Sequence, residues 1–547
     1  MRAFSSFFVC CLLAASAVVA APAGASTHAV PVSFGRPLVP LVNKVTGHTG
    51  YYTYHYDGGR TGWNPNETSL TTTTVASSHF GYVRHLVGDS IVYAQPLYVP
   101  NLAIGSATHN AVIFATENDS VYAYDADTGA ALWHRSFTDP ANGVTAVSIA
   151  SVNNCSQITP TIGISSTPVI DPSTQTLYVV DKIQVTQKGS TTYHTQLHAL
   201  ALASGADKLT AAEIAGSVKR SDGTVDTFGA QYQQNRPGLV LANGTVYVAF
   251  GSSCDENGDS VHGWIFGYGA SNLHGNFIFN TTASSTSSNL GSIWQSTYAP
   301  AADSAGDLFF TTGNGSFNAQ NGGADYGESV LRTTPQLKVA GYFSPSNEAS
   351  LSNSDEDVGS VGIMLIPNSS GSKIPLAISG VKSGKLFLLN QNHLGEFSPS
   401  GDNVLQEIKI GGNGSLFGGP AYYANHVYWG SSNQPMKSFA LSVSPAPQLT
   451  FQSQTTNNFN GEGGEIPAVS SRGTTAGTAI VWAASRPPTG SNIMLYAYDA
   501  TNLGKMLFAG AAGTWRASDG AFLTPTVVDG HVFVPGAGYG VAEFGLH

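Results

Sequence analysis

Seven prolines recur in similar apolar settings along this chain of 547 residues and divide it into units of about sixty residues. One interval is roughly double the others, and an apolar stretch at residues 361–366 divides that interval almost evenly. The chain therefore contains eight repeating units. The prolines are Pro96, Pro168, Pro237, Pro300, Pro420, Pro467 and Pro525.

Each unit has the pattern of a small antiparallel sheet. The proline-marked strand is followed by an apolar segment such as TVYVAFGS at 245–252, and then by a third segment such as SVYAYDA at 120–126. Proline cannot donate a hydrogen bond to a strand ladder, so within sheets it is restricted to edges, strand starts and bulges. Its repeated position indicates a strand with one free edge, as in the innermost strands that line the channel of a β-propeller.

The strands at the two ends of the repeat predict how the ring closes. The last unit has three strands before the C-terminus, whereas one additional strand, HFGYVRHLVG at 79–88, precedes the first unit. Helical periodicity is not sustained after the first 25 residues. We predict an all-β protein, with an eight-bladed β-propeller of four-stranded antiparallel blades over 79–547 that an N-terminal strand closes by joining the C-terminal blade. The alternative is a row of β-sandwich domains, which the even spacing and the absence of linkers disfavour.

The first 25 residues have the layout of a secretory signal peptide: one charge, Arg2, then an apolar run and small residues. We therefore expect a secreted protein, extracellular or periplasmic, with no membrane span. Removal of this segment leaves Cys155 and Cys254, which could form a disulfide in an oxidising compartment. It also leaves 22 basic residues against 34 acidic ones, a balance that opposes binding to nucleic acid.

The segment VYAYDADTGAALWHRSF at 121–137 resembles the repeat of pyrroloquinoline-quinone (PQQ) propellers. In that repeat an aspartate and a Thr-Gly pair form a turn and the tryptophan docks one blade on the next; the matching residues are Asp125, Thr128, Gly129 and Trp133. The resemblance covers nearly all of the chain after the leader. It includes residues 51–70, similar to a family segment that packs over the ring, so we expect residues 26–78 to be an extension packed on the propeller.

Two further segments are similar to active-site stretches of quinoprotein dehydrogenases. By the match of GSIWQSTYAPAADSAGDLFFTTGNGS at 291–316, Trp294 would form the floor under the quinone and Asn314 would ligate calcium. SNSDEDVGSVGIML at 352–365 stands where the family has a Trp-Asp-Tyr-Asp motif. The resemblance implies that Asp355 is the catalytic base and contacts the metal, and that Asp357 is the additional carboxylate seen in lanthanide-using relatives.

Two other segments complete the implied site. GVKSGKLFLLNQNHLG at 380–395 resembles the strand whose basic residue contacts the quinone and the base, a role that falls on Lys382. GSSCDENGDSVHGW at 251–264 resembles the strand that ends in a metal-binding glutamate, for which Glu256 is the nearest match. A quinone oxidant needs a stacking surface, a hard cation, a carboxylate base and a basic residue, and this set contains one of each.

The resemblance thus implies a dehydrogenase that oxidises an alcohol or sugar with PQQ and calcium in the central channel. The sequence departs from the family in lacking its adjacent-cysteine disulfide, the arginine downstream of it, and any Cys-x-x-Cys-His haem motif. One alternative is a non-catalytic binding or scaffold propeller that recognises a glycan or a protein. A third is a polysaccharide-cleaving propeller that uses the carboxylates of Glu462 and Glu465.

Overall fold

Eight four-stranded antiparallel sheets form the blades of a β-propeller, as the repeat predicts. The computed structural model describes residues 49–255, 261–284, 290–410, 414–461, 463–516, 522–536 and 538–547. All of them belong to one compact unit, Leu38–His547. The predicted signal peptide lies outside the described residues.

The first strands of blades 2 and 3, 3 and 4, 6 and 7, and 7 and 8 contact one another, so the first strand of each blade is the inner one. From the inner strand outward, blades 1 to 4 comprise Leu97–Ile104, Ala107–Thr116, Ser120–Asp125 and Ala131–Ser136; Val169–Asp171, Thr176–Gln187, Ser190–Ala201 and Ala212–Glu213; Val240–Ala242, Thr245–Ser252, Trp264–Gly269 and Gly275–Asn280; and Ala301–Ala302, Leu308–Thr311, Val330–Thr333 and Val339–Phe343.

Blades 5 to 8 follow the same order. Their strands are Met364–Leu365, Leu376–Val381, Lys385–Asn390 and Gln406–Lys409; Ala421–Tyr423, His426–Trp429, Lys437–Ser442 and Gln448–Gln454; Ala468–Ser470, Ile480–Ala484, Asn492–Asp499 and Met506–Thr514; and Thr526–Val528, His531–Pro535, Gly540–Leu546 and Phe80–Val87.

Shorter elements occupy the connections. The helices are Thr72–Val75 and Glu348–Ser354, with 3₁₀ turns at Pro140–Asn142, Ile149–Val152, Gln295–Thr297, Ala319–Asn321, Val358–Ser360 and Asn368–Ser370. The additional short strands are Trp63–Asn64, Val144–Ser148, Thr161–Ile162, Ser217–Lys219, Val225–Thr227 and Gln233–Gln234. Among the residues that the structure describes, no helix is long and apolar enough to cross a membrane.

The ring closes where the sequence predicts. Phe80–Val87 pairs antiparallel with Gly540–Leu546 and supplies the outer strand of blade 8. Six of the seven recurring prolines directly precede an inner strand, and the inner strand of blade 5, Met364–Leu365, lies in the apolar stretch that lacks the proline. Blade 1 docks on blade 2 through the tryptophan of the PQQ-type repeat, since Trp133 Nε1 donates to the Leu202 carbonyl of blade 2 at 2.8 Å.

The free edges of the inner strands are paired by residues 51–64, which we call the channel belt. Its backbone hydrogen-bonds to six blades, and Trp63–Asn64 adds a parallel pairing with the inner strand of blade 7. The partners are Tyr98 for Tyr51, Ile170 for Tyr52, Ala302 for Gly58, Leu365 for Gly59, Tyr422 for Thr61 and Val469 for Gly62. The belt therefore lies inside the channel, against the ladder edges that the prolines indicate.

Side chains of the belt fill the channel at this level. Arg60 is 1% exposed, and its Nε donates to the Pro300 carbonyl at 2.9 Å. His55 is fully buried, with its ring 5.0 Å from that of Tyr298. Tyr298 in turn donates from its hydroxyl to the Arg60 carbonyl at 2.7 Å. The channel is thus closed on the belt side by a packed polar and aromatic core.

Candidate functional site

A cavity of ≈ 230 Å³ lies beyond this core. Its floor consists of three rings that pack edge to face: Trp294 and Phe417 at 5.6 Å, and Phe417 and Phe522 at 5.1 Å. These rings share a cluster with Tyr54 and Tyr298, so packed aromatics join the floor to the channel belt. The remaining wall is polar and charged, and its residues are Ser156, Gln157, Arg236, Ser252, Cys254, Asp255, Ser292, Asp355, Asp357 and Lys382.

A strained turn positions Trp294 at the entrance to blade 4. The next three residues, Gln295, Ser296 and Thr297, all have left-handed backbone, with φ of 43°, 50° and 70°. Such conformations cost about 1–3 kcal/mol each for residues other than glycine. Buried hydrogen bonds hold them, including Ser296 Oγ to the Ser360 carbonyl at 2.6 Å and the Thr311 amide to Gln295 Oε1 at 2.9 Å.

Asp357 is fixed beside this tryptophan. Trp294 Nε1 donates to Asp357 Oδ2 at 2.9 Å, whereas Oδ1 is buried with no hydrogen-bond partner in the described part of the chain. Burial raises the pKa of Asp357 to about 7, with the charges of Asp255 and Asp355 adding to the rise and Lys382 opposing it. Gly313 lies against both side chains: a Cβ there would be 2.8 Å from Asp357 Oδ2, which explains the glycine in the Gly-Asn turn.

Asp355 stands at the cavity mouth, after the helix Glu348–Ser354, in a left-handed conformation with φ of 54°. Its side chain is 71% exposed and is held from two sides. Lys382 Nζ donates to Oδ2 at 2.8 Å, and Asn314 Nδ2 donates to Oδ1 at 2.9 Å. The carboxylate is therefore oriented and accessible from the cavity.

Asn314 is bound through its amide nitrogen, which leaves its oxygen for another partner. Asn314 Oδ1 is buried and has no hydrogen-bond partner among the described residues. Buried amide oxygens are normally satisfied. Together with the unpartnered Oδ1 of Asp357, it is an oxygen donor of the kind that hard cations prefer.

No protein-family model matches this chain, and no curated protein matches it in sequence. Solved structures do resemble it. They include the quinohemoprotein alcohol dehydrogenase of Comamonas testosteroni, with a TM-score of 0.58, 14% identity and coverage of 91% of this chain and 80% of that one. The chain has the fold of these enzymes.

Two other solved structures have a similar fold. A quinohemoprotein alcohol dehydrogenase from Pseudomonas putida HK5 aligns with a TM-score of 0.56 and 13% identity, covering 91% of this chain and 80% of that one. A europium-containing methanol dehydrogenase aligns with a TM-score of 0.57 and 12% identity, covering 90% of each chain. At these identities the likeness shows a shared fold, and the activity has to be argued from the residues of this chain.

The structure brings most of the predicted site residues together. Trp294, Asp355, Asp357 and Lys382 line one cavity, and Asn314 contacts Asp355. Glu256 lies outside the described residues, as does Glu462. Glu465 is 2% exposed and does not line this cavity, so it is not placed to act on a bound polysaccharide here.

Three features of the site were not assigned from the sequence. Asp255, next to the predicted Glu256, lines the cavity and accepts hydrogen bonds from Ser252 and Ser292. Arg236 lies over the floor rings. Cys254, bonded to Cys155, is part of the wall, so the disulfide that the sequence allowed is formed at the cavity itself.

A fourth carboxyl group lies behind Asp357. Glu328 is fully buried, and its Oε2 accepts a hydrogen bond from the Val358 amide at 2.8 Å. Burial, followed by the nearby charge of Asp357, raises the pKa of Glu328 well above its usual range. This side of the cavity therefore concentrates carboxyl groups whose ionisation burial opposes and a bound cation would favour.

Within the described residues, no three histidine, cysteine or carboxylate side chains are arranged to hold a metal by themselves. Asp255 and Asp357 line the cavity with carboxylate oxygens, which are the kind of ligand that calcium takes. The cavity therefore combines carboxylate oxygens with an aromatic floor.

Proposed function

We propose that this protein is a quinoprotein-type dehydrogenase that oxidises an alcohol or a sugar, with calcium-bound PQQ in the cavity. The observation that carries this proposal is the convergence of residues from three separate segments on one cavity, each of a chemical type that the reaction needs. They are Trp294, Asp355, Asp357 and Lys382.

Different residues of this chain would bind the quinone ring and the cation. Trp294 and Phe417 offer aromatic surface to a flat ring. Asp357 Oδ1 and Asn314 Oδ1, both buried without partners among the described residues, would ligate the cation, and Asp255 would add a further carboxylate. The cation would in turn stabilise the ionised form of Asp357, whose pKa burial raises to about 7.

Asp355 is the base in this proposal. The quinone, when bound, would supply the hydride acceptor. Asp355 takes the proton of the substrate hydroxyl, and its exposed position at the mouth lets a substrate reach it. Lys382 and Asn314, at 2.8 and 2.9 Å, hold both carboxylate oxygens in place, so the base does not have to be oriented during the reaction.

The proposal includes a location outside the cell. Residues 1–25 have the pattern of a secretory leader, and the Cys155–Cys254 disulfide suits an oxidising compartment. The substrate is then a small extracellular or periplasmic alcohol or sugar.

A test compares the wild type with D355N, both loaded with PQQ and calcium. We expect the wild type to reduce an artificial electron acceptor in the presence of at least one alcohol or sugar of a broad panel. D355N should lose at least about 10²-fold in kcat, the usual contribution of a general base, while its affinity for PQQ stays within about threefold. K409Q, a change on the outer strand of blade 5, serves as the control and should keep full activity.

Two results would contradict the proposal. A wild type that binds PQQ but oxidises no member of the panel is not a dehydrogenase of this class. A D355N variant that retains wild-type kcat removes Asp355 from the role of base. Failure to bind PQQ at all would favour the alternative of a binding or scaffold propeller.

A further inference from the structure

A carboxyl group without partners is buried at the junction of blades 6 and 7. Glu465 is 2% exposed, and both of its carboxyl oxygens are buried with no hydrogen-bond partner among the described residues. Burial raises the pKa of Glu465 well above its usual range, and no basic side chain in the described part of the chain counters the rise. A buried carboxylate is costly unless it is paired, so Glu465 needs either a cation or a proton.

Two glycines let this side chain approach blade 6. Glu465 stands just before the inner strand of blade 7, Ala468–Ser470, and Gly430 directly follows the second strand of blade 6, His426–Trp429. A Cβ at Gly430 would overlap Glu465 Oε1. Gly464 has a left-handed backbone with φ of 78°, and a Cβ there would be 2.8 Å from the Gly430 carbonyl oxygen. The carboxyl group is therefore held against the backbone of the neighbouring blade.

Other polar atoms at this junction also lack partners. Ser431, which follows Gly430, is 1% exposed, and its Oγ is buried with no hydrogen-bond partner among the described residues. Burial raises the pKa of Tyr498, and the nearby charge of Glu465 adds to the rise. The Tyr498 hydroxyl donates to Asn457 Oδ1 at 2.6 Å, whereas Asn457 Nδ2 is unpartnered in the described part of the chain. Because buried polar atoms are normally satisfied, these groups indicate a bound ion or ordered water.

We propose that Glu465 binds a monovalent metal cation that bridges blades 6 and 7. The Gly430 carbonyl and the Ser431 hydroxyl are oxygen donors from blade 6, the kind of ligand that hard cations prefer, and water can supply the remaining oxygens. Among the described residues, no other carboxylate acts on Glu465. A single positive charge therefore makes the buried pair neutral, whereas a divalent ion would leave a net charge in the interior.

This site is separate from the cavity of the proposed function. Glu465 does not line that cavity. The segment that leads to it nevertheless contacts the aromatic floor, because the Phe417 amide donates to the Gly463 carbonyl at 3.2 Å. A cation at Glu465 thus stabilises the folded ring behind the floor and takes no part in the oxidation.

Thermal unfolding in a buffer that contains a chelator of divalent ions tests this inference. Replacement of N-methylglucamine by sodium or potassium at constant ionic strength should raise the Tm of the wild type saturably, by at least about 1 °C, because the ion binds the folded state. E465Q should lose this rise, since the amide keeps the shape of the side chain and removes its charge. The matched control is E407Q. Glu407 is exposed and pairs with Lys385 at 3.0 Å, so its substitution should leave the rise intact.

Two outcomes would overturn the inference. A wild-type Tm that is the same in sodium, potassium and N-methylglucamine would show that no monovalent cation binds and that Glu465 carries a proton instead. An equal rise in the wild type and in E465Q would place the cation elsewhere in the molecule. Neither outcome bears on the proposed dehydrogenase activity, because the samples contain no PQQ.

A crystal soak keeps the test decisive even if E465Q does not fold. Thallium(I) takes the place of sodium or potassium and scatters anomalously, so crystals of the wild type should show an anomalous peak beside the Glu465 carboxylate. Ordered water alone at this position would overturn the inference without the use of any variant.

Discussion

At the scale of single residues, His531 shows how buried charge joins the last blade to the first. Its Nδ1 lies 3.0 Å from Glu543 Oε1, and its Nε2 lies 3.6 Å from Asp127 Oδ1 in blade 1. Arg84, on the closing strand, lies 3.3 Å from the other oxygen of Glu543. Burial alone would lower the pKa of His531, but the two carboxylates outweigh it and raise the pKa to about 10.

Because the pKa of His531 is raised on folding, the stability that His531 contributes decreases as the pH rises. The contribution of protonated His531 to stability is fully present below its unfolded pKa of 6.5 and is lost as the pH rises through about 10. We expect H531N to cost about 2 kcal/mol near neutral pH, the value of a charged hydrogen bond, and to lower the Tm accordingly. The difference in Tm between H531N and the wild type should shrink towards zero above the raised pKa.

Thermal unfolding of both proteins across the pH range checks this expectation. The control is H194N, because His194 pairs with Glu213 at an exposed site, where an ion pair is worth about 0–1 kcal/mol. A Tm difference for H531N that stays constant with pH would show that the charge of His531 contributes nothing to ring closure.

Most of the candidate site could be predicted from sequence because its residues sit in short contiguous motifs. Asn314, Asp355 and Asp357 each lie in a short stretch that is similar to an active-site stretch of quinoprotein dehydrogenases. Asp255 and Arg236 could not be assigned to the site from the sequence, for a physical reason. Asp255 follows a cysteine whose bond to Cys155 no local pattern reveals, and Arg236 reaches the floor rings by a packing contact between distant segments.

At the scale of elements, the loop before blade 2 forms part of the cavity wall. Ser156 and Gln157 line the cavity, and the loop is tied to the end of the second strand of blade 3 by Cys155–Cys254. The bond spans 99 residues of sequence. Cross-links over long loops restrict the unfolded chain and stabilise proteins by about 2–5 kcal/mol.

We expect the double variant C155S/C254S to have a lower Tm and a weaker affinity for PQQ, because the cavity wall loses its covalent tie. The strand signal in far-ultraviolet circular dichroism should stay unchanged, since the blades do not depend on this loop. The measurement uses protein that lacks residues 1–25, with and without a phosphine reductant.

The effect of the reductant on the wild type and on the double variant provides the control. Reductant should lower the Tm of the wild type and leave that of the double variant unchanged. If the reduced wild type, with free thiols verified, keeps both its Tm and its affinity for PQQ, the disulfide does not support the cavity.

At the scale of the whole molecule, the repeated sequence pattern determines the eight-bladed ring, whereas the non-repeating channel belt fills its channel. The period of the prolines and the strand count predict eight blades and the closing strand Phe80–Val87, because every blade repeats the same pattern. The channel belt has no such period. Its path depends on left-handed residues such as His55 and Arg60, with φ of 57° and 65°, and on contacts with six blades. Local sequence patterns therefore do not reveal that it enters the channel.

The most direct test of the account is a titration of the protein with PQQ, with calcium present and after its removal by a chelator. Quinone absorbance and Tm are followed in the same samples. We predict saturable one-to-one binding, with a rise in Tm that requires calcium, because calcium would be a partner for the buried oxygens of Asp357 and Asn314, which have no hydrogen-bond partner in the described part of the chain. No binding under either condition would contradict the assignment of this cavity to a metal-bound quinone.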